Sequence, residues 1–147
     1  MPSQEELIAQ FELQPHPEGG WFREFYRSES ATSIYYLLRA GEASWFHRLK
    51  QDEIWHHLKG DPVEIVMLSE ARPLHSVLSV GAFVVPGGTW FAARPLGEFA
   101  LCSCTVSPPF RYEEWEMANA VELQSAYPVC QAVIQQFEGI ESLKTKL

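Results

Sequence analysis

Apolar and polar positions change their period twice along this chain, and each change marks an element boundary. Ser3 followed by Glu6 makes a capping box, and Leu7, Ile8 and Phe11 then recur at helical spacing, which predicts a short helix over about 3–11. Residues 15–20, Pro15-His16-Pro17-Glu18-Gly19-Gly20, read as a loop, since two prolines fix φ and two glycines permit unusual backbone angles. From Trp21 to about Thr105 the pattern shortens to β-rich runs bounded by turn residues: 21–27, 33–38, 44–49, 53–58, 63–68, 77–85, 90–93 and 99–106. Pro108-Pro109 ends the last of them. Residues 113–123 are acidic and mixed. Pro128 then opens a second helical pattern through Val129, Ala132, Val133 and Phe137, with Gly139 as its stop, so a helix is expected over about 128–138 and a frayed tail after Glu141. Many short strands between two short helices predict an all-β barrel or sandwich forming a single domain over 1–147, its barrel at about 20–107.

Composition narrows the function classes. Hydrophobic residues make up 46% and aromatics 13%, with five Trp, enough for a core lined by large side chains. Eleven basic residues against 19 acidic give a net charge of -8, which argues against nucleic acid and anionic membranes as partners. The opening segment has no basic region or long apolar run, so it is not read as a signal peptide. The uncharged stretch 73–93 is broken by Gly81 and Pro86-Gly87-Gly88 and reads as two strands and a turn. Cys102, Cys104 and Cys130 form no framework of spacings, which points to reduced thiols and a cytoplasmic protein. Cys102 and Cys104 read as small apolar side chains on one strand face.

The densest chemistry lies between Trp45 and Gly60. With 44–49 and 53–59 paired as a hairpin, alternation puts His47, Leu49, Glu53, Trp55 and His57 on one face, with His47 near Trp55 and Trp45 near His57. An inward Glu is costly in a sealed core, so Glu53 has a partner there (Arg23 or Arg48) or the face lines a wet cavity. His47 is the leading candidate, with a core His bonded to a backbone carbonyl as the plainer reading. Arg23 is favoured over Glu24 to point inward as an anion anchor. Tyr36, Trp55 and Phe91 are candidate stacking walls, with plain core as the commoner role of such aromatics, and His16 and Glu18 either close the cavity mouth or fix their loop. His56 is read as outward, and His75 has no supporting context.

His47-x-Leu49, three residues, Glu53, six residues and Gly60 resemble the first cupin motif, HXH, three or four residues, E, six residues, G. Pro86-Gly87-Gly88-Thr89-Trp90-Phe91 is similar to the second, PXGXXH, with Phe91 where the motif has His. Residues 15–28, the strings around Trp45 and Trp55, and the segment through Pro86 more closely resemble a small cupin branch of unknown function, similar to nucleotide-sugar epimerase-type barrels. The resemblance spans about 8–137. It implies a double-stranded β-helix (jelly-roll barrel), an interior small-molecule cavity and a homodimer, to which outward aromatics such as Trp21 or Tyr35 also point. It does not imply one activity, because this scaffold hosts many. The cofactor it implies is a divalent metal ion held by three His and one Glu. Here only His47 and Glu53 stand at those places, while Leu49 and Phe91 fill the others, which leaves weak holding. His57 lies four strand positions from Glu53, ~13 Å at about 3.3 Å per residue, too far to share an ion with it.

Two functions follow. The first is a sugar or sugar-phosphate isomerase or epimerase, with His47 as base, Glu53 orienting it or holding a weak metal, Arg23 meeting a phosphate and Tyr36 as second acid. The second is a non-catalytic barrel that holds a nucleotide-like or aromatic ligand at a degenerate metal site, its pocket lined by Arg23, Tyr36, Trp55, His57 and Phe91. A metal-dependent oxygenase or isomerase ranks below both.

Overall fold

A computed structural model describes residues 2–144 of the chain. The N-terminal helix, α1 (Gln4–Gln10), starts where the capping box predicts: Ser3 accepts from the Glu6 N–H, and Glu6 accepts from the Ser3 N–H. The strands are β1 (Gln14–Pro15), β2 (Trp21–Arg27), β3 (Thr32–Arg39), β4 (Ser44–Leu49), β5 (Asp52–Gly60), β6 (Val63–Met67), β7 (Leu74–Leu78), β8 (Ala82–Val85), β9 (Phe91–Pro95), β10 (Phe99–Ser107) and β11 (Trp115–Met117). They form two antiparallel sheets, ordered β1-β2-β3-β10-β5-β8 and β11-β4-β9-β6-β7. This is a double-stranded β-helix, or jelly roll, with short terminal helices.

The break expected at Gly81 is present: at φ +94 it turns the chain between β7 and β8, so the run 77–85 is in two pieces. Other expectations are corrected. The acidic stretch 113–123 carries β11 and the start of a further helix, α2 (Ala120–Ala126), capped by the Asn119 side chain. The 44–49 and 53–59 segments do not pair as a hairpin. β4 lies in the second sheet beside β9 and β11, and β5 in the first beside β10 and β8, so residues 50 and 51 turn a corner between sheets. Trp45 is therefore not opposite His57. The helix expected at 128–138 is a 3₁₀ turn, Pro128–Cys130, leading into α3 (Gln131–Glu138). Of the tail, Glu141–Leu143 is a 3₁₀ turn, and 145–147 lie outside the described residues.

Apolar packing occurs in three layers. Tyr36, Trp55, Ile65, Phe91 and Cys102 fill the space between the sheets. Trp45 and Phe46 pack with Ile134, Phe137 and Leu143 where α2 and α3 cover the second sheet, and α1 seals Leu37 and Leu101 on the outside of the first. Each fully buried aliphatic or Phe side chain stabilises by about 1.5–3 kcal/mol. Trp45 and Phe46 are chain neighbours yet share the helix-covered layer. The β4–β9 register allows this, since Ser44 pairs with Ala93 and His47 with Phe91, three residues against two. That bulge puts Ser44 and His47 on the same inner side.

Candidate functional site

One end of the barrel is hollow, with a cavity of about 90 Å³. Its polar wall starts in the loop before β2. The loop closes through the His16 N–H to the Gly20 carbonyl and the Gly19 N–H to the His16 carbonyl. Gly19 sits at φ +114 with the Ala43 carbonyl 1.9 Å from where a Cβ would lie, so no other residue lets the loop approach β4 so closely. The Trp45 N–H donates to the Glu18 carbonyl (2.8 Å), and the Tyr36 hydroxyl donates to the Gly19 carbonyl (2.5 Å). Glu18 is thereby delivered into the barrel, buried, and its carboxylate gathers partners. Ser44 Oγ donates at 3.1 Å and Trp115 Nε1 at 3.2 Å, while His47 Nε2 lies at 3.4 Å and His16 Nε2 at 4.0 Å. Burial by itself would raise the Glu18 carboxyl. The imidazoles of His16 and His47 and the bonds from Trp115 and Ser44 outweigh it and hold Glu18 below the usual carboxylate range.

His47 is fixed from behind. Its Nδ1 donates to the Trp45 carbonyl at 2.7 Å and its ring packs on Phe91 at 4.2 Å, which leaves Nε2 facing Glu18 and the cavity.

Glu53, on β5, is the other buried carboxyl of the cavity, and it has no such company. Its Oε1 is buried and meets no hydrogen-bond partner. Burial, then the negative charge of Glu18, push its carboxyl up to about 8, and the adjacent Trp55 indole and Cys104 thiol offset only part of this. The Trp55 N–H comes near without reaching hydrogen-bonding geometry. At neutral pH Glu53 is a carboxylic acid and can donate a hydrogen bond. The Cys104 thiol is pushed well up by burial and by Glu53, so it is no thiolate nucleophile.

The mouth is built by residues that alternation does not find. β2 has an irregular register between Glu24 and Tyr26, so Phe22, Glu24 and then Arg27 line the cavity. Arg27 forms a two-pronged pair with Glu24 (2.7 and 3.0 Å) and donates to the Phe110 carbonyl. The strap from β10 to β11 brings Phe110, Tyr112 and Trp115 across the opening. Pro108-Pro109 marked only the end of a strand in the sequence, and no periodicity signals that the following segment crosses the cavity.

The structure brings His47 and Glu53 to one cavity together with His16 and Glu18, which both hold their loop and line it, and leaves the other candidates beneath or outside it. Arg23 points away, 3.7 Å from Glu12 and over the Tyr35 ring, because Glu24 takes the inner position. Arg48 pairs with Glu116 and stacks on Trp90, so neither proposed arginine reaches Glu53. His57 lies toward the far end of β5, where its Nε2 bonds the Asp61 carbonyl. Tyr36, Trp55 and Phe91 are packed into the core beneath the cavity. His56 is exposed, and His75 faces Glu64 at the surface.

A divalent ion does not fit these residues. Leu49 and Phe91 supply no donor atoms at two of the four places the motifs assign to ligands, which leaves His47 and Glu53 alone at those places. Among the described residues no three His, Cys, Asp or Glu side chains are grouped to hold a metal.

A jelly roll closed at one end and hollowed at the other, with its polar groups directed inward, is the architecture of a cupin barrel. The chain belongs to the cupin superfamily (DUF985), whose model matches residues 5–118. It is similar to a solved protein of Shewanella oneidensis at 35% identity, with a TM-score of 0.89 over 93% of this chain and 98% of that one. A hypothetical protein from Leishmania major is similar at 27% identity and a TM-score of 0.86, over 92% and 98%. Oxalate decarboxylase from Lactobacillus farciminis shares the fold alone, at 16% identity and a TM-score of 0.62 over 92% of this chain and 44% of that one. No curated protein matches the sequence. Among the described residues, no helix is long and apolar enough to cross a membrane.

Proposed function

We propose that this cupin binds a small molecule at the hollow end and moves a proton at a carbon beside a carbonyl, as an isomerase or epimerase does. Sugars and sugar phosphates are the first compounds to test. The observation that carries the reading is the pair of buried carboxyls driven in opposite directions around one cavity, Glu18 downward and Glu53 up to about 8. His47 Nε2 takes the proton from carbon, and Glu18 steadies the resulting imidazolium. Glu53 donates to the carbonyl oxygen as charge develops on it. Glu18 thus takes the orienting role first given to Glu53. Exchange of substrate C–H for solvent deuterium, followed by NMR across sugars, sugar phosphates and short ketones and aldehydes, tests it. Exchange that His47→Ala abolishes is expected; its absence from every compound overturns the reading.

The rim of Phe22, Phe110, Tyr112 and Trp115 favours a second reading, a flat aromatic or nucleotide-like ligand held without turnover. Such a ligand raises Tm with occupancy and forms no product. Homodimer formation is supported by Ile54 and Val84, exposed apolar residues paired on the outer face of the first sheet. Trp21 and Tyr35 lend less, since Trp21 donates to Glu42 and Tyr35 lies against Phe11 and Phe25. Light scattering during gel filtration checks it: twice the chain mass is expected, and the monomer mass refutes it.

A further inference from the structure

Two further properties of the cavity bear on what enters it. The first is its charge. Each ionic side chain of the lining other than Glu53 already faces an opposite partner: His16 and His47 face Glu18, and Arg27 is clamped to Glu24. A phosphate or carboxylate would enter without a cation to receive it, and beside the Glu18 charge. Glu53 Oε1, in a side chain more than nine-tenths buried, is the polar atom of the lining left without a partner.

The second is the apolar part of the lining. Ile34, Leu49 and Val106 line the cavity and offer no hydrogen bonds. Hydroxyl groups pressed against them would lose water without replacement. Size sets a further limit. A cavity of roughly 150 Å³ holds benzene, so one of about 90 Å³ buries roughly four heavy atoms.

Building on the binding reading above, we infer that the cavity takes the uncharged end of a carbonyl compound: a C=O accepting from Glu53, an alkyl edge against Ile34, Leu49 and Val106, and no phosphate or carboxylate within the barrel. Short ketones and aldehydes, or larger molecules that present such an end, satisfy it. A polyhydroxylated or phosphorylated end does not, so a sugar or sugar phosphate satisfies it only with its carbonyl end inside and its phosphate and remaining hydroxyls outside the barrel. Leu49 then has a positive role at a place where the motif expects a ligand, as the apolar face that selects the alkyl edge.

Four probes of nearly equal size separate the possibilities: acetone, acetate, isopropylammonium and isopropanol. Each is titrated into the intact protein with EDTA present, following the Trp115 indole N–H by NMR. Acetone is expected to bind at least tenfold more tightly than acetate or isopropylammonium, and severalfold more tightly than isopropanol. Glu53→Met, which removes the donor, is expected to weaken acetone about tenfold, and Glu53→Gln, which keeps an N–H donor, to restore most of it. Leu49→Asn, the second variant, is expected to bring dihydroxyacetone level with acetone. Preference for acetate or isopropylammonium, or equal binding by the Met and Gln variants, overturns the substrate class and leaves small-molecule binding standing. Binding by none of the probes, in protein whose spectrum is folded, overturns both.

Discussion

Glu18, in the loop between β1 and β2, and Glu53, on β5, face one cavity with exposures of 5% and 8%, yet their surroundings drive them apart. Around Glu18 the loop, β4 and β11 converge with a hydroxyl, an indole N–H and two imidazoles, and the carboxylate stays ionised. Around Glu53 stand an indole out of bonding geometry and a thiol, and the proton stays on. Burial is nearly the same for both, so it does not decide the charge state; the number and kind of donors do.

The pH dependence of stability is the sharpest way to break this comparison. The folded value for Glu53, about 8, lies above its ordinary 4.5, so the native state keeps a proton that the unfolded chain has lost. Its contribution is full below about pH 4.5 and declines as pH rises to about 8, a loss on the order of 5 kcal/mol. Denaturant unfolding at pH 5, 7 and 9 should show this decline in the wild type and not in Glu53→Gln. Parallel curves would place Glu53 in ordinary ionisation. Glu18 has the opposite sign. Its folded value is lowered, so its contribution is present above the ordinary range and disappears as pH falls through the folded value.

Next in size, Glu18→Gln removes the buried carboxylate that accepts from Ser44 and Trp115, and is expected to cost about 3 kcal/mol at pH 7. A loss under 1 kcal/mol would mean that the cluster contributes little to holding the loop. Trp115→Phe keeps the ring but removes one bond to a carboxylate, for about 1.5 kcal/mol by denaturant unfolding. Arg23→Ala should be the smallest, about 0.5 kcal/mol and without effect on probe binding, because Arg23 meets the exposed Glu12 across 3.7 Å and the Tyr35 ring outside the cavity. Altered probe binding in that variant would return Arg23 to the cavity.

Much of the chain was legible because its signals are local. The Ser3–Glu6 box, the boundaries of β2 and β4, the stop at Pro108-Pro109 and the second helical pattern each rest on a few neighbouring residues. The site was half legible. His47 and Glu53 follow from motif spacing, and Gly87 explains part of that spacing: a Cβ there would lie 2.1 Å from the Lys50 carbonyl, where the turn before β5 packs. Glu24, Arg27 and the aromatic strap were not legible. Strand alternation carries inward and outward positions forward only until a bulge, and the bulges in β2 and β4 leave no mark in the sequence.

The sequence by itself determined the class of fold, the element types and the residues able to ionise, because propensity, capping and motif spacing act over short stretches of chain. Only the tertiary structure decided which carboxylate faces which imidazole. Glu18 and Trp115 stand 97 residues apart and meet because the β10–β11 strap crosses the mouth where Gly19 lets the loop enter. Glu53 is left alone by the same geometry: β4 and β5 belong to different sheets, and neither candidate arginine reaches it.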